Sequence, residues 1–157
     1  HVSHGAGSDP EHDGWLNTFS NVEGSNSTSR GAYITWEWYT GKFGTSVRLG
    51  GLDPTNSRAL ERYIVMHRAS YAEPSHIDEW GRLGRSNGCF ALGQEQFKIA
   101  LQTLSGGRLL YAEALGLNED GTRSFPPTAI VGEPEEGYHI LRQPQPDTFS
   151  QTNPGVT

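Results

Sequence analysis

Hydrophobic and polar positions change rhythm along the chain, and the changes mark its elements. Residues 1–30 are polar without a sustained period, which predicts a loop. "GAYITWEWYT" (31–40) is rich in β-branched and aromatic residues and predicts a strand. "GKFG" turns the chain and "TSVRLGGL" returns it, so the two strands make a hairpin. Alternation sets Trp36 and Trp38 on one strand face, opposite Glu37 and Tyr39. Packing is the expected use of the tryptophans, with a sugar-stacking platform as the alternative.

Further along, "DPTNSRALERY" (53–63) opens on Asp53 and Pro54, a helix-start signal. It leads into "YIVMH" (63–67), an apolar run that predicts a buried strand. "EPSHIDEWG" (73–81) predicts a short helix begun by Pro74 and stopped by Gly81. In "GQEQFKIALQTLSGG" (93–107), Phe97, Ala100, Leu101 and Leu104 fall on one helical face before Gly106 and Gly107 end it. "RLLYAEAL" (108–115) predicts a last core strand. The pattern then dissolves. Residues 116–157 are rich in Pro, Gly, Thr and acids and read as an irregular tail wrapping the surface or a partner, with "TAIV" and "YHIL" as candidate short strands. The organisation expected is therefore a folded unit over 1–115 and a tail over 116–157.

Composition narrows the function classes. At 157 residues the chain has one domain's worth of core and needs no disulfide staples. A net charge of −6 with no Lys/Arg-rich run argues against nucleic acid. Nothing in the sequence approaches a membrane-spanning apolar run. His1, His4, Asp9, His12 and Asp13 form a metal-like inventory, yet their spacing fits neither zinc nor calcium patterns, so a polar loop is the reading and no metal or cofactor is expected.

The one candidate nucleophile is the single cysteine, Cys89, in "GRLGRSNGCFAL" (81–92). Gly88 lets the backbone turn sharply and aim amides outward as an oxyanion hole. Arg82 and Arg85 are placed in sequence to favour the thiolate. His67, ending an apolar strand, is the best candidate base. A lone cysteine is more often an inert core residue and a histidine after an apolar run more often a structural one, so the residues alone leave both readings open.

"YIVMHRASYAEPSHIDEWGRLGRSNGCFAL", together with "FSNVEGSNSTSRGAYIT", "YTGKFGTSVRLGGLDPTNS" and "GGRLLYA", resembles the L,D-transpeptidase (YkuD-type) catalytic domain, in particular a branch with a GRLGRS-x-GC loop. The likeness spans about residues 3–113, with several motifs in order. It implies a mainly β fold, a sandwich or partly open barrel with a few short helices. It implies Cys89 as nucleophile of a Ser-x-Gly-Cys motif and His67 as base. Acyl transfer on peptidoglycan stem peptides would pass through a cysteine thioester, without cofactor, in the periplasm or cell envelope of a bacterium. Gly88, Asn87, Ser86, Arg85 and His4 are the implied oxyanion and substrate contacts. An L,D-carboxypeptidase or cross-link hydrolase on the same site, and a non-enzymatic envelope protein, are the alternatives.

Three positions depart from the commoner family pattern. Asn87 stands where a histidine usually precedes Gly-Cys. Ala91 stands where Arg or Asn often follows, and Arg68 where a small residue usually follows the base. The sequence begins at His1, without the strands such domains normally carry first, so we read it as a processed or trimmed chain. That reading predicts an open sheet edge, completed by a partner chain or by the tail.

Overall fold

The computed structural model describes residues 1–114 and 129–131. Seven strands are β1 (Thr18–Ser20), β2 (Gly31–Gly41), β3 (Gly44–Gly51), β4 (Val65–Arg68), β5 (Phe90–Leu92), β6 (Leu109–Ala112) and β7 (Ala129–Val131); the helices are α1 (Pro74–Trp80) and α2 (Gln94–Leu104). Five strands form one sheet in the order β5-β4-β3-β2-β6, and β1 and β7 form a second. Within the larger sheet only β4 and β5 run parallel. The fold is mainly β, as expected.

Register divides the larger sheet into two unlike faces. Met66 pairs with Val47 on one side and Phe90 on the other, and these join Tyr33, Leu49 and Leu92 in one buried cluster. Helix α2 lays Phe97 and Ala100 on that cluster, with Leu101 and Leu104 beside them, which is the face its periodicity predicts. The alternate positions make the other face: Ser46 opposite His67, and His67 opposite Ala91. A polar row thus crosses the sheet on the side away from α2.

Several elements follow their local signals. Pro74 starts α1, and Gly81, left-handed at φ 72°, ends it by donating its N–H to the Ile77 carbonyl at 2.7 Å. "TAIV" supplies β7, parallel to β1; "YHIL" lies outside the described residues.

Elsewhere, distant contacts override local preference. The helix expected over 53–63 is only a 3₁₀ turn, Pro54–Asn56, followed by turns. Asp53 accepts the Ala32 N–H at 2.6 Å and Asn56 donates to the Ala32 carbonyl at 2.7 Å, so both side chains bind β2. Strand β6 is at the sheet edge: it pairs with β2 and exposes Leu109 and Tyr111, while Ala112 joins the core cluster and Leu110 packs against it. A shift of register between Thr35 and Trp38 breaks the alternation in β2 and leaves Trp38 exposed.

The polar segment 1–30 is largely built in. Ser3 exchanges both backbone hydrogen bonds with Ala91 beside β5, at 2.7 and 3.1 Å. Ser8, Asp9, Thr28 and Ser29 are fully or almost fully buried. Their polar groups are satisfied internally: Ser8 Oγ accepts the Thr28 N–H at 3.0 Å, and the Asp9 carboxylate accepts those of Asp13 and Gly14.

At the centre of this weave Gly5 leaves no room for a side chain. A Cβ there would sit 2.2 Å from the Asn26 carbonyl oxygen and 2.8 Å from Gly88 Cα. Both neighbours are backbone and cannot yield cheaply. Gly5→Ala is expected to cost about 2 kcal/mol or more, read as a lowered midpoint in urea denaturation; an unchanged midpoint would mean the segment is only loosely attached.

Candidate active site

The site is built on the parallel pair β4–β5. His67 lies opposite Ala91 on the polar face, and Cys89 sits in the bend just before β5, two residues ahead of Ala91. Hydrogen bonding from the Val65 backbone reaches the thiol, fixing Cys89 beside the start of β4.

Cys89 is buried, and its thiol donates to the Tyr63 carbonyl at 3.6 Å. Tyr63 turns that carbonyl inward from a left-handed backbone, φ 55°, which non-glycine residues seldom adopt. Burial pushes the thiol pKa up, against the Val65 hydrogen bond and the nearby Arg62 guanidinium. The resting cysteine is a neutral thiol.

His67 is 2% exposed. Its Nδ1 lies 3.0 Å from the Arg68 carbonyl oxygen. A carbonyl only accepts, so Nδ1 carries the proton and Nε2 keeps its lone pair for another proton. Burial lowers the imidazole pKa, against that hydrogen bond, so the ring is neutral too. Phe43, from the β2–β3 turn, stacks on it at 4.6 Å between ring centres and 20° between planes. Two backbone carbonyls and one stacked ring thus hold a neutral thiol and a neutral imidazole.

The loop before β5 is folded onto itself. Ser86 Oγ donates to the Cys89 carbonyl at 2.6 Å and accepts the Gly88 N–H at 3.1 Å. The Gly88 amide is therefore spent inside the loop in this state. Gly88 has φ 114°, and a Cβ on it would meet the Ser27 carbonyl oxygen at 2.7 Å. Asn87, between them, is exposed.

The arginines fall differently from their sequence order. Arg85 bonds the Asp9 carbonyl, and Arg82 bonds the Trp80 carbonyl and His12 Nδ1. The cation acting on the thiol is Arg62, which donates to the Ser20 and Ser27 carbonyls and to the hydroxyls of Ser25 and Ser29. No local signal in "RALERY" marks it, because its partners lie in segment 20–29. His4 Nε2 lies 3.7 Å from Asp9 Oδ2, and His4 lines a cavity of about 280 Å³ with Met66, Phe90 and Leu92, residues of the core face. The structure folds Cys89, Ser86 and Gly88 into one loop beside β4, the strand that carries His67, and turns Arg82 and Arg85 to the segment around Asp9 and His12. Among the described residues no three His, Cys, Asp or Glu side chains gather to hold a metal.

A mostly antiparallel sheet, with a buried imidazole on β4 and a buried thiol in the loop before β5, defines a mainly β domain. Its family is known: the L,D-transpeptidase catalytic domain (YkuD_2) matches residues 1–112, and the chain belongs to that family. Membership makes the chain an enzyme of peptidoglycan transpeptidase type, from a family typical of the cell envelope. A search of curated proteins and a search of solved structures each returned no match. Among the described residues no helix is long and apolar enough to cross a membrane.

The buried imidazole makes stability depend on pH. With its folded pKa below the ordinary 6.5, His67 takes up a proton more readily in the unfolded chain. Its contribution is complete above 6.5 and is lost as pH falls through the folded value. Denaturation between about pH 7.5 and about pH 5 should show falling stability, and His67→Asn a shallower decline. Identical slopes would remove His67 from the account.

Proposed function

We propose that Cys89 and His67 carry out L,D-transpeptidase-type acyl transfer on peptidoglycan stem peptides. The supporting observation is the imidazole anchored through Nδ1, with Nε2 free to accept, on the strand paired with the one that follows the thiol. As sulfur attacks the carbonyl after the third stem residue, the S–H proton passes to Nε2. The tetrahedral intermediate collapses by expelling the D-alanine amine, which takes that proton from the imidazolium. A thioester on Cys89 remains. An amine of a neighbouring stem attacks it, the C–S bond breaks, and the amine's proton returns through His67 to the sulfur. The cross-link forms with no oxidant, metal or nucleotide consumed.

A neutral pair suits this sequence. The thiol is not exposed as a standing thiolate to adventitious electrophiles; it ionises as substrate displaces it from the Tyr63 carbonyl. Arg62 supports the negative charge as it develops. The Gly88 N–H serves the oxyanion once the Ser86 hydroxyl releases it, and the Asn87 amide lies exposed beside it. The reaction places the protein in the bacterial periplasm or envelope, with stem peptides as partner.

Intact mass measurement after incubation with a tetrapeptide stem should show a thioester adduct, absent in Cys89→Ala. His67→Ala should slow its formation by roughly 10²–10⁴-fold. Muropeptide dimers in the product identify transpeptidation; trimmed monomers alone would make water the acceptor and the protein a carboxypeptidase. An adduct formed equally by Cys89→Ala would end the proposal. In the absence of substrate, iodoacetamide should label Cys89 more slowly at neutral pH than a free thiol, because the raised pKa keeps it protonated. Faster labelling would mean a standing thiolate.

A further inference from the structure

A groove of about 420 Å³ adjoins the site between the β2–β3 turn and α2. Phe97 and Leu101 make its apolar floor, Phe43 one wall, and Arg68, Gln94 and Lys98 its polar side. Phe43 belongs to both places: the ring that lines the groove is the ring stacked on His67. Register orders them along the sheet, with Cys89 before β5, His67 opposite the middle of it, and Arg68 opposite its last residue, Leu92.

From this geometry we infer that the groove is a subsite for a carboxylate-bearing stretch of the stem peptide, with Arg68 as its charge contact. The inference rests on the peptidoglycan reading above and names where on the protein that ligand would lie. Charge selects the occupant. The whole chain carries −6, yet Arg68 and Lys98 line this groove and Lys42 sits over the Phe43 ring, 5.8 Å from its centre. Arg68 is exposed and bonds the neutral amide of Gln94 at 2.9 Å, which leaves its charge uncancelled by that partner. Lys98 pairs with Glu95 at 2.8 Å, which offsets its charge and leaves Arg68 as the groove's principal cation. The floor suits the aliphatic part of a peptide and the cationic rim its carboxylates. Arg85 and Arg82, the arginines nearer Cys89 in sequence, are turned away to Asp9, Trp80 and His12.

The test separates binding from chemistry. A muramoyl tripeptide with free carboxylates, and the same peptide with its carboxylates amidated, are titrated calorimetrically into Cys89→Ala and into Cys89→Ala with Arg68→Gln. Amidation is expected to weaken binding to the first about fivefold and to leave binding to the second unchanged, the size of one partly exposed ion pair. Raising salt should erase the difference. Equal losses in both proteins, or none in either, would overturn the inference. Should Arg68→Gln fail to fold, Arg68→Met in the Cys89→Ala background runs the same cycle, and a full amidation penalty there would overturn the inference. No bond is cleaved in these titrations. Failure of the acyl-transfer reading, seen as an absent thioester in the unmutated protein, is thus a separate outcome.

Discussion

The backbones of Gly5 and Gly88 approach so closely that a Cβ on Gly5 would overlap Gly88 Cα and one on Gly88 would overlap the Ser27 carbonyl. Thr28 bridges them, accepting the Gly5 N–H at 3.0 Å and donating to the Gly88 carbonyl at 3.3 Å. The loop that carries Cys89 is thereby pressed between the N-terminal segment and β4. Without that contact, Ser3 would lose its seat on Ala91, and the Ser86–Gly88–Cys89 turn would lose its outer wall. The position of the thiol is a consequence of backbone packing, completed by its hydrogen bond to the Tyr63 carbonyl.

Burial then fixes the charge state of the pair. Thiol and imidazole both lose water, and desolvation penalises the charged form of each, raising one pKa and lowering the other. The compensations are unequal in kind. The imidazole is helped by one carbonyl, which also fixes its tautomer. The thiol is helped by an amide and by Arg62, whose four hydrogen bonds lock segment 20–29 in place. Arg62 therefore ties the order of that segment to the ease of ionising Cys89. A structural arginine acquires an electrostatic role through its place in the fold.

What the sequence disclosed is what is locally determined. Pro74 and Gly81 bracket α1, the apolar face of α2 is readable at helical spacing, and "GKFG" between two β-rich runs predicts its hairpin. Cys89 and His67 stand out because their motifs and order resemble a family. The rest depends on contacts between distant segments. Asp53 and Asn56 spend their side chains on β2, and no helix forms behind them. Trp38 is exposed by a bulge that composition does not announce. Arg62 and Phe43 touch the site from a turn and a hairpin tip, and only folding shows that the arginines beside Cys89 in sequence serve the N-terminal segment.

Ala91 carries this logic to substrate binding. It is fully buried, held between His67 on β4 and Ser3 at the sheet margin. An arginine or asparagine at that position would have to displace one of the two strands, so the small side chain is dictated by packing. A carboxylate contact must then come from a position with room for a long side chain. Arg68 has it: β4 ends there, its side chain leaves the sheet on the α2 side, and Phe43 spans the gap back to the imidazole. The residue usually small after the base is large here, and the residue usually large after the nucleophile is small. Under the proposed subsite both departures fit one change, the transfer of positive charge from the β5 side of the site to the end of β4.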